Sequence, residues 1–411
     1  MINTTTIWHF DAGEQGPSTP SPEVIHILRF SVKGKSLNMQ QSLTKSLSLS
    51  LDDHISLWRT RRETLVWLVM LIIQTGSVSL WRLAGYVDTR AQTLSVHRRF
   101  ERFFQHVHLD ETCVARLIVH LMGLSGKPWH LALDRTNWKF GRCHINILML
   151  GIIHEKVCIP LFWVLLDKAG NSNAWERTDL MQRLNEAFPD QPIASLSGDR
   201  EFIGESWMSW LENQGIPFVL RLKGNMHVWN ESHVPVKLSV HAVRLGKRQS
   251  RILKGTWYLG RNPSKTTTPV KIAMMRLKTG EMLIVAASRI RIKMALPVYR
   301  NRWGIETLFS ALKTRGLGLE DTHMTDPHKL ATLMGVLAIA FCLAYKTGLW
   351  VARIKPPRQK SHGRLQRSLF ALGLNAFRKA IVKMSELQIF DYITALFKPN
   401  IPRKALIGLV L

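Results

Sequence analysis

The sequence is poor in acidic residues, in patterned cysteines and in long apolar runs. Only 29 Asp and Glu accompany 56 Lys and Arg, which gives a formal net charge of +27 over 411 residues. The four cysteines show neither CxxC nor paired spacing, which argues against a zinc ribbon and a disulfide framework and fits a reducing cytoplasm. The longest apolar runs, 65–73 and 330–345, are shorter than the roughly 20 residues that span a bilayer. We therefore expect two buried helices here and no membrane partner.

The basic excess is the strongest feature that composition offers. A pI near 10.4 is extreme for a chain of which 46% is hydrophobic and which can build a sizeable core in two or three domains. Such a surface indicates a polyanionic partner, and nucleic acid is favoured because no basic cluster flanks a spanning helix. Residues 1–38 contain Pro, Ser and Thr without an apolar period, and we expect a flexible extension rather than a signal peptide. Met39 is a hypothetical alternative start.

Residues 40–125 have a helical pattern, with a break at 88–89 that is typical of a helix-turn-helix. We expect the helix near 92–105 to turn Leu94, Phe100, Phe103 and Phe104 toward a core. Its other side carries cations that we assign to DNA phosphates or a groove: His97, Arg98, Arg99 and Arg102. An ordinary basic helix in a small bundle is the alternative.

From residue 127 the pattern changes to strands. Three apolar strands come first, followed by helix, strand, helix and strand up to residue 224, which is the order of a ribonuclease H-like α/β domain. Asp134 and Asp199 each follow an apolar strand, and the fold order predicts that these strand ends are neighbours. An Asp in such a place is also often a simple turn or helix cap.

Residues 297–315 are predicted to form one helix that begins at Pro297 and ends at Gly316. At about 100° per residue, one face carries Tyr299, Arg302, Glu306 and Lys313. A solvated stripe of salt bridges is the ordinary interpretation of such a face.

The spacing of Tyr299, Arg302, Glu306 and Lys313 resembles the Tyr-Arg-Glu-Lys signature of bacterial insertion-sequence DDE transposases of the IS-four group. The segment that begins at Asp199 also resembles that family's sequence at its second carboxylate. The resemblance implies that Asp134, Asp199 and Glu306 are the catalytic, metal-binding carboxylates, and that Tyr299, Arg302 and Lys313 hold DNA phosphates. Two Mg²⁺ ions, or Mn²⁺, would offset the mutual repulsion of the carboxylates. Glu201 ranks below Asp199, because only Asp199 is at the strand end.

The resemblance also implies a division of the catalytic domain into 127–224 and 289–350, with a β-rich insertion at 225–288. In relatives this insertion supplies a Trp that stacks on a flipped base, a part for which Trp257 or Trp229 is available here. A buried strand Trp is the alternative. Residues 351–411 form a basic helical tail, which is either a DNA or dimer contact or a solvated surface.

The function implied is that of a transposase that binds the terminal inverted repeats of its own element as double-stranded DNA. It would cleave the strands in a metal-dependent reaction and join them to target DNA, as a homodimer in the bacterial, nucleoid-associated cytoplasm. Two alternatives stay open: a non-catalytic DNA-binding repressor derived from a transposase, and a ribonuclease H-like nuclease without strand transfer.

Overall fold

A computed structural model of the chain describes residues 36–313, 315–361 and 365–398. Nearly all of the predicted flexible extension, residues 1–35, lies outside this range. The part that precedes the sheet is helical, as the sequence predicts. Its helices are α1 (Ser36–Asp52), α2 (Arg59–Thr75), α3 (Leu80–Ala84), α4 (Thr93–His106) and α5 (Glu111–Met122).

Helix α4 shows why this region packs as a bundle. Val96, Phe100, Phe103 and Phe104 are buried on one face of the helix. The prediction for Leu94 was wrong, because this residue is in the exposed first turn of α4 and is 45% exposed.

An eight-stranded mixed sheet forms the centre of the molecule. In order across the sheet, its strands are β3 (Val157–Leu165), β2 (Cys143–His154), β1 (Trp129–Phe140), β4 (Ile193–Gly198), β5 (Phe218–Arg221), β11 (Met282–Ser288), β10 (Lys271–Arg276) and β8 (Ser250–Ile252). Strand β2 is antiparallel to β1 and β3, whereas β4 and β5 run parallel to β1. This arrangement is ribonuclease H-like, which confirms the predicted fold class. The two helices between the strands of this half, β1 to β5, are α6 (Ala174–Ala187) and α7 (Glu205–Asn213).

Local sequence accounts for several boundaries in this half. Glu155 and Lys156 both have positive φ, as a two-residue hairpin turn between β2 and β3 requires. Asn173 caps α6 in a capping box with Glu176, so the helix begins one residue after the cap.

The predicted β-rich insertion differs from expectation. Strands β8 (Ser250–Ile252), β10 (Lys271–Arg276) and β11 (Met282–Ser288) continue the main sheet beyond β5 instead of forming a separate unit. Only β6 (His227–Trp229), β7 (Val236–Lys237) and β9 (Tyr258–Leu259) form a second, small sheet. Residues 238–242, which alternate like a strand, form helix α8 (Leu238–Ala242). Runs this short fit either structure, and packing decides between them.

The signature segment is two helices rather than one. Helix α9 (Ile292–Asn301) ends at its C-cap Arg302, and α10 (Gly304–Leu312) begins after Trp303. Pro297 is inside α9 instead of at its start. Helix α10 starts close to β3, since a Cβ on Gly304 would be 2.9 Å from the Lys156 carbonyl oxygen. A Gly is therefore needed where α10 meets the sheet.

The C-terminal helices are α11 (Pro327–Ile354), α12 (Leu369–Lys383) and α13 (Glu386–Leu396). Helix α11 is longer than its apolar run suggested, and by length and composition alone it reaches the size of a membrane-spanning helix. However, 94% of its most apolar window is buried inside the protein, as for the core helix of a globular fold. Helices α11 and α12 cross closely at Gly348 and Gly373, where a Cβ on either would strike the other helix's backbone. The predicted burial of this apolar segment is confirmed.

Candidate active site

The main sheet brings two carboxylates together where the parallel pairing of β1 and β4 stops. The last pair in register is Leu133 with Gly198; Asp134 is the next residue of β1, and Asp199 directly follows the end of β4. Strand β1 does not end at Asp134 as expected; it continues to Phe140, paired with β2 alone. The predicted juxtaposition of the two residues nevertheless follows from the register.

Arg302 links the first carboxylate to the third. Its Nη1 donates to Asp134 Oδ2 at 2.7 Å, and its Nη2 donates to Glu306 Oε1 at 2.8 Å. The Arg302 side chain is only 5% exposed, compared with 17% for Asp134 and 37% for Glu306. The break between α9 and α10 puts Arg302 at this junction, so the guanidinium lies between carboxylates from the sheet and from α10.

Asp199 has partners of its own. The Tyr299 hydroxyl donates to Asp199 Oδ1 at 3.2 Å, and Arg221 Nη1 is 3.6 Å from the same oxygen. The Tyr299 ring is buried in a small apolar cluster between α9 and the β5, β10 and β11 strands. Arg221, the last residue of β5, also pairs with Glu281. Of the predicted signature, Tyr299 therefore contacts Asp199 and Arg302 contacts Asp134, whereas Glu306 is joined to Asp134 only through Arg302.

The electrostatics separate the two aspartates. Burial raises the pKa of Asp134 to about 6, although Arg302 opposes this shift. Burial would also raise the pKa of Asp199, but Arg302, the Arg200 backbone N–H and Arg221 together hold it below its ordinary value. The pKa of Arg302 is raised despite its burial, because Tyr299 and the nearby carboxylates favour its charged form.

A second ion pair joins β1 to the loop that follows β4, next to Asp134 and Asp199. Arg135 and Glu201 form a bidentate pair, with Nε–Oε1 at 3.2 Å and Nη2–Oε2 at 3.1 Å. Arg135 Nη1 also donates to the side chain of Asn146 on β2, and Arg177 Nη2 donates to the Glu201 carbonyl oxygen. Glu201, two residues after Asp199, is thus paired with Arg135. This agrees with ranking Glu201 below Asp199 as a candidate metal ligand.

Lys313 is at the far end of α10. Its Nζ donates to the Asn137 carbonyl oxygen on β1 at 3.2 Å and pairs with Glu320 at 2.7 Å. It lies along the strand that carries Asp134, but its charge is already paired.

Of the three arginines on α4 that are predicted to contact DNA, two are exposed and one is bound to other residues of the protein. Arg98 and Arg102 are exposed on α4. Arg99 instead donates to Thr64 and to the Thr60 carbonyl oxygen on α2 and lies 4.3 Å over the Trp67 ring. Its role here is to hold α4 on α2.

The two tryptophans considered for base stacking are both buried. Trp257 is 8% exposed and its indole N–H donates to the Lys254 carbonyl oxygen. Trp229 is 5% exposed and stacks on Tyr258 with ring centroids 4.3 Å apart. The structure thus agrees with the alternative of buried strand tryptophans, and in it neither ring face is available to a base.

Asp134, Asp199 and Glu306 are candidate ligands for a divalent cation. Their oxygens are the hard donors that Mg²⁺ and Mn²⁺ prefer. Arg302 supplies one positive charge to three carboxylates, and Arg221 is shared between Asp199 and Glu281. Charge and donor type therefore fit a cation. Within residues 36–313, 315–361 and 365–398, however, no three acidic, His or Cys side chains converge as a ready-made metal cluster.

Sequence reasoning missed Arg221 and the Arg135–Glu201 pair. Arg221 ends the strand next to β4, so the argument that found Asp199 also applies to it. Arg135 follows Asp134 directly, but its pairing with Glu201 depends on side-chain geometry that spacing does not encode.

The family model described as "Transposase DDE domain" matches residues 125–343, more than half of the chain. Among solved structures, the fold is similar to a cryo-EM structure of the piggyBac transposase synaptic complex with hairpin DNA. The TM-score is 0.41 at 11% identity, covering 91% of this chain and 82% of that chain. No curated protein matches the sequence significantly.

Proposed function

The chain belongs to the transposase DDE domain family, and we propose that it excises and inserts its own insertion sequence as a member of the IS-four group. In this proposal it binds the terminal inverted repeats as double-stranded DNA, cleaves the strands and joins the freed 3′ ends to target DNA. The proposed assembly is a homodimer that pairs two element ends, in the nucleoid-associated cytoplasm of a bacterium.

The observation that carries the proposal is the contact of Arg302 with both Asp134 and Glu306. A solvated stripe of salt bridges on one helix would not reach the sheet. Here the signature residues from α9 and α10 meet the two aspartates at a buried junction. Together with the family match, this supports Asp134, Asp199 and Glu306 as the catalytic carboxylates.

Each residue has a chemical part in this scheme. Two divalent ions, Mg²⁺ or Mn²⁺, when bound by the three carboxylates, would supply Lewis-acid stabilisation of an in-line phosphoryl displacement. Arg302 would help to neutralise the charge of a phosphate at this site. Tyr299 and Lys313 would orient phosphates on either side of it. The Arg135–Glu201 pair keeps Asp134 and Asp199 in register.

A supercoiled donor plasmid that carries the element's own ends tests this function. Incubation with purified protein and Mg²⁺ is expected to give nicked and excised donor and then joined products, and EDTA is expected to abolish all of them. Nicking without joined products would favour the nuclease without strand transfer. DNA binding without any cleavage would favour the non-catalytic repressor.

A further inference from the structure

The segment 232–280 contains no Asp or Glu but eleven Lys and Arg, while all 29 acidic residues of the chain lie elsewhere. Ten of the eleven are exposed; Arg276 is the exception and donates to three backbone carbonyl oxygens. None of the eleven forms an ion pair with another described residue. Like charges at this density repel one another unless an anion lies against them.

The sheet aligns part of this charge with the active site. Strand β11 is antiparallel to β5, β10 to β11 and β8 to β10. The edge at which β5 ends, with Arg221, is therefore also the edge at which β10 ends and β8 begins. Just before β8, the Arg248 N–H donates to the Arg276 carbonyl oxygen at 2.7 Å. Lys247 and Arg248 are thus on the same edge as Asp134 and Asp199, and Lys278 follows β10 there.

The distance suits an extended polyanion. From β4, which precedes Asp199, to β8 there are four strand spacings of about 4.8 Å, or about 19 Å. Duplex DNA rises about 3.4 Å per base pair, so this span corresponds to about six base pairs. A small phosphorylated ligand would not reach from the carboxylates to Lys247, but a duplex would.

We propose that Lys247, Arg248 and Lys278 at the β8–β10 edge of the main sheet bind the phosphates of duplex DNA about six base pairs from the cleaved bond. This basic edge rests on the proposed function, because it continues the path of the DNA away from the active site. In this arrangement, exposed cations rather than Trp257 or Trp229 make the DNA contacts of residues 225–288.

The test compares two variants that each remove two exposed charges. Lys247→Gln/Arg248→Gln removes two from the basic edge. Lys127→Gln/Lys156→Gln removes two from the opposite edge, where β1 begins and the β2–β3 turn lies. The dissociation constant of a random 30-base-pair duplex is measured for each protein between about 50 and 200 mM salt.

We plot log Kd against log salt concentration. For Lys247→Gln/Arg248→Gln the slope should be smaller than that of the wild type by about 1.8, since each lost phosphate contact accounts for about 0.9. The opposite-edge variant keeps the wild-type slope. Lys278→Glu, on a separate turn, is expected to weaken binding in the same direction, so the result does not depend on the folding of one variant.

A wild-type slope retained by Lys247→Gln/Arg248→Gln, or an equal loss in both double variants, overturns the inference while the proposed function stands. A wild type that binds neither this duplex nor a duplex that carries the element's own ends overturns both. Loss of binding to phosphatidylglycerol vesicles with duplex binding unchanged would assign the edge to a membrane surface and also overturn the inference.

Discussion

Replacing Arg302 by Gln tests the electrostatic design of the site without requiring a DNA substrate. The Arg302 side chain is 5% exposed and bridges Asp134 and Glu306. Removing one partner of a buried pair costs about 3–5 kcal/mol, because the remaining charge is left without compensation. Glu306 is 37% exposed and contributes little to this cost, so we expect a loss of about 3 kcal/mol, mostly from Asp134, at pH 8.

The loss is expected to depend on pH in a direction that the site determines. The pKa of Asp134 is already raised to about 6 by burial, against the opposing effect of Arg302. Without Arg302 the folded-state pKa rises further above its unfolded value. A raised folded pKa gives stability that is present at low pH and lost as the carboxyl ionises. The deficit of Arg302→Gln is therefore small at pH 5 and large at pH 8.

Denaturant unfolding between pH 5 and 8 measures this difference. Arg300→Gln, at an exposed position on the same helix, is the matched control and should change the free energy of unfolding by less than about 0.5 kcal/mol. Adding Asp134→Asn to Arg302→Gln should recover much of the loss at pH 8. A deficit that is equal at pH 5 and pH 8, or a double variant whose losses simply add, would refute this reasoning.

Three further predictions concern other parts of the molecule. Gly304→Ala should lower the free energy of unfolding by about 1–3 kcal/mol and displace Glu306, because the new Cβ meets the Lys156 carbonyl oxygen. Gly170→Ala, which has open space around it, should be neutral in the same denaturation assay. Burial raises the pKa of Glu111 to about 7, so the free energy of unfolding of the wild type should fall by up to about 3 kcal/mol as the pH rises from 4.5 through 7. Glu111→Gln should remove that pH dependence. A variant with the same pH profile as the wild type would contradict this prediction. Arg98→Gln/Arg102→Gln should lower the slope of log Kd for DNA against log salt concentration by up to about 1.8. Arg99→Gln should lower the melting temperature and leave that slope unchanged. The reverse pattern would contradict the packing of α4 on α2.

The central sheet and its two aspartates are predictable from the sequence because local pattern and topology agree there. Long apolar strands and a capped helix fix the order of elements, and parallel strands bring their carboxyl ends to one edge. The meeting of Asp134 with Asp199 follows from those two facts. Glu306 and Arg302 followed from the spacing of the signature and the resemblance that it carried.

Features that depend on packing were not predictable. The break after Arg302 interrupts a segment whose sequence predicts one helix, and the second helix begins at Gly304, which lies against the turn before β3. The strands of 236–288 are two to seven residues long, too short for periodicity to distinguish the main sheet from a separate one. Arg and Trp are residue types that often contact DNA. Arg99 instead binds Thr60 and Thr64, which are distant in sequence, and Trp257 is buried, and the local sequence indicates neither outcome.

If Asp134, Asp199 and Glu306 act together on DNA, as we propose, then Glu306→Gln must lose DNA cleavage. Cleavage of DNA bearing the element's own ends is measured with Mg²⁺ for the wild type, for Glu306→Gln and for Glu212→Gln. Glu212 is a control carboxylate that is hydrogen-bonded to Ser288 at the opposite edge of the sheet. We expect Glu306→Gln to bind DNA normally but to cleave it about 100-fold more slowly or worse, because several kcal/mol of transition-state stabilisation are lost. Equal cleavage by all three proteins would exclude Glu306 from the mechanism.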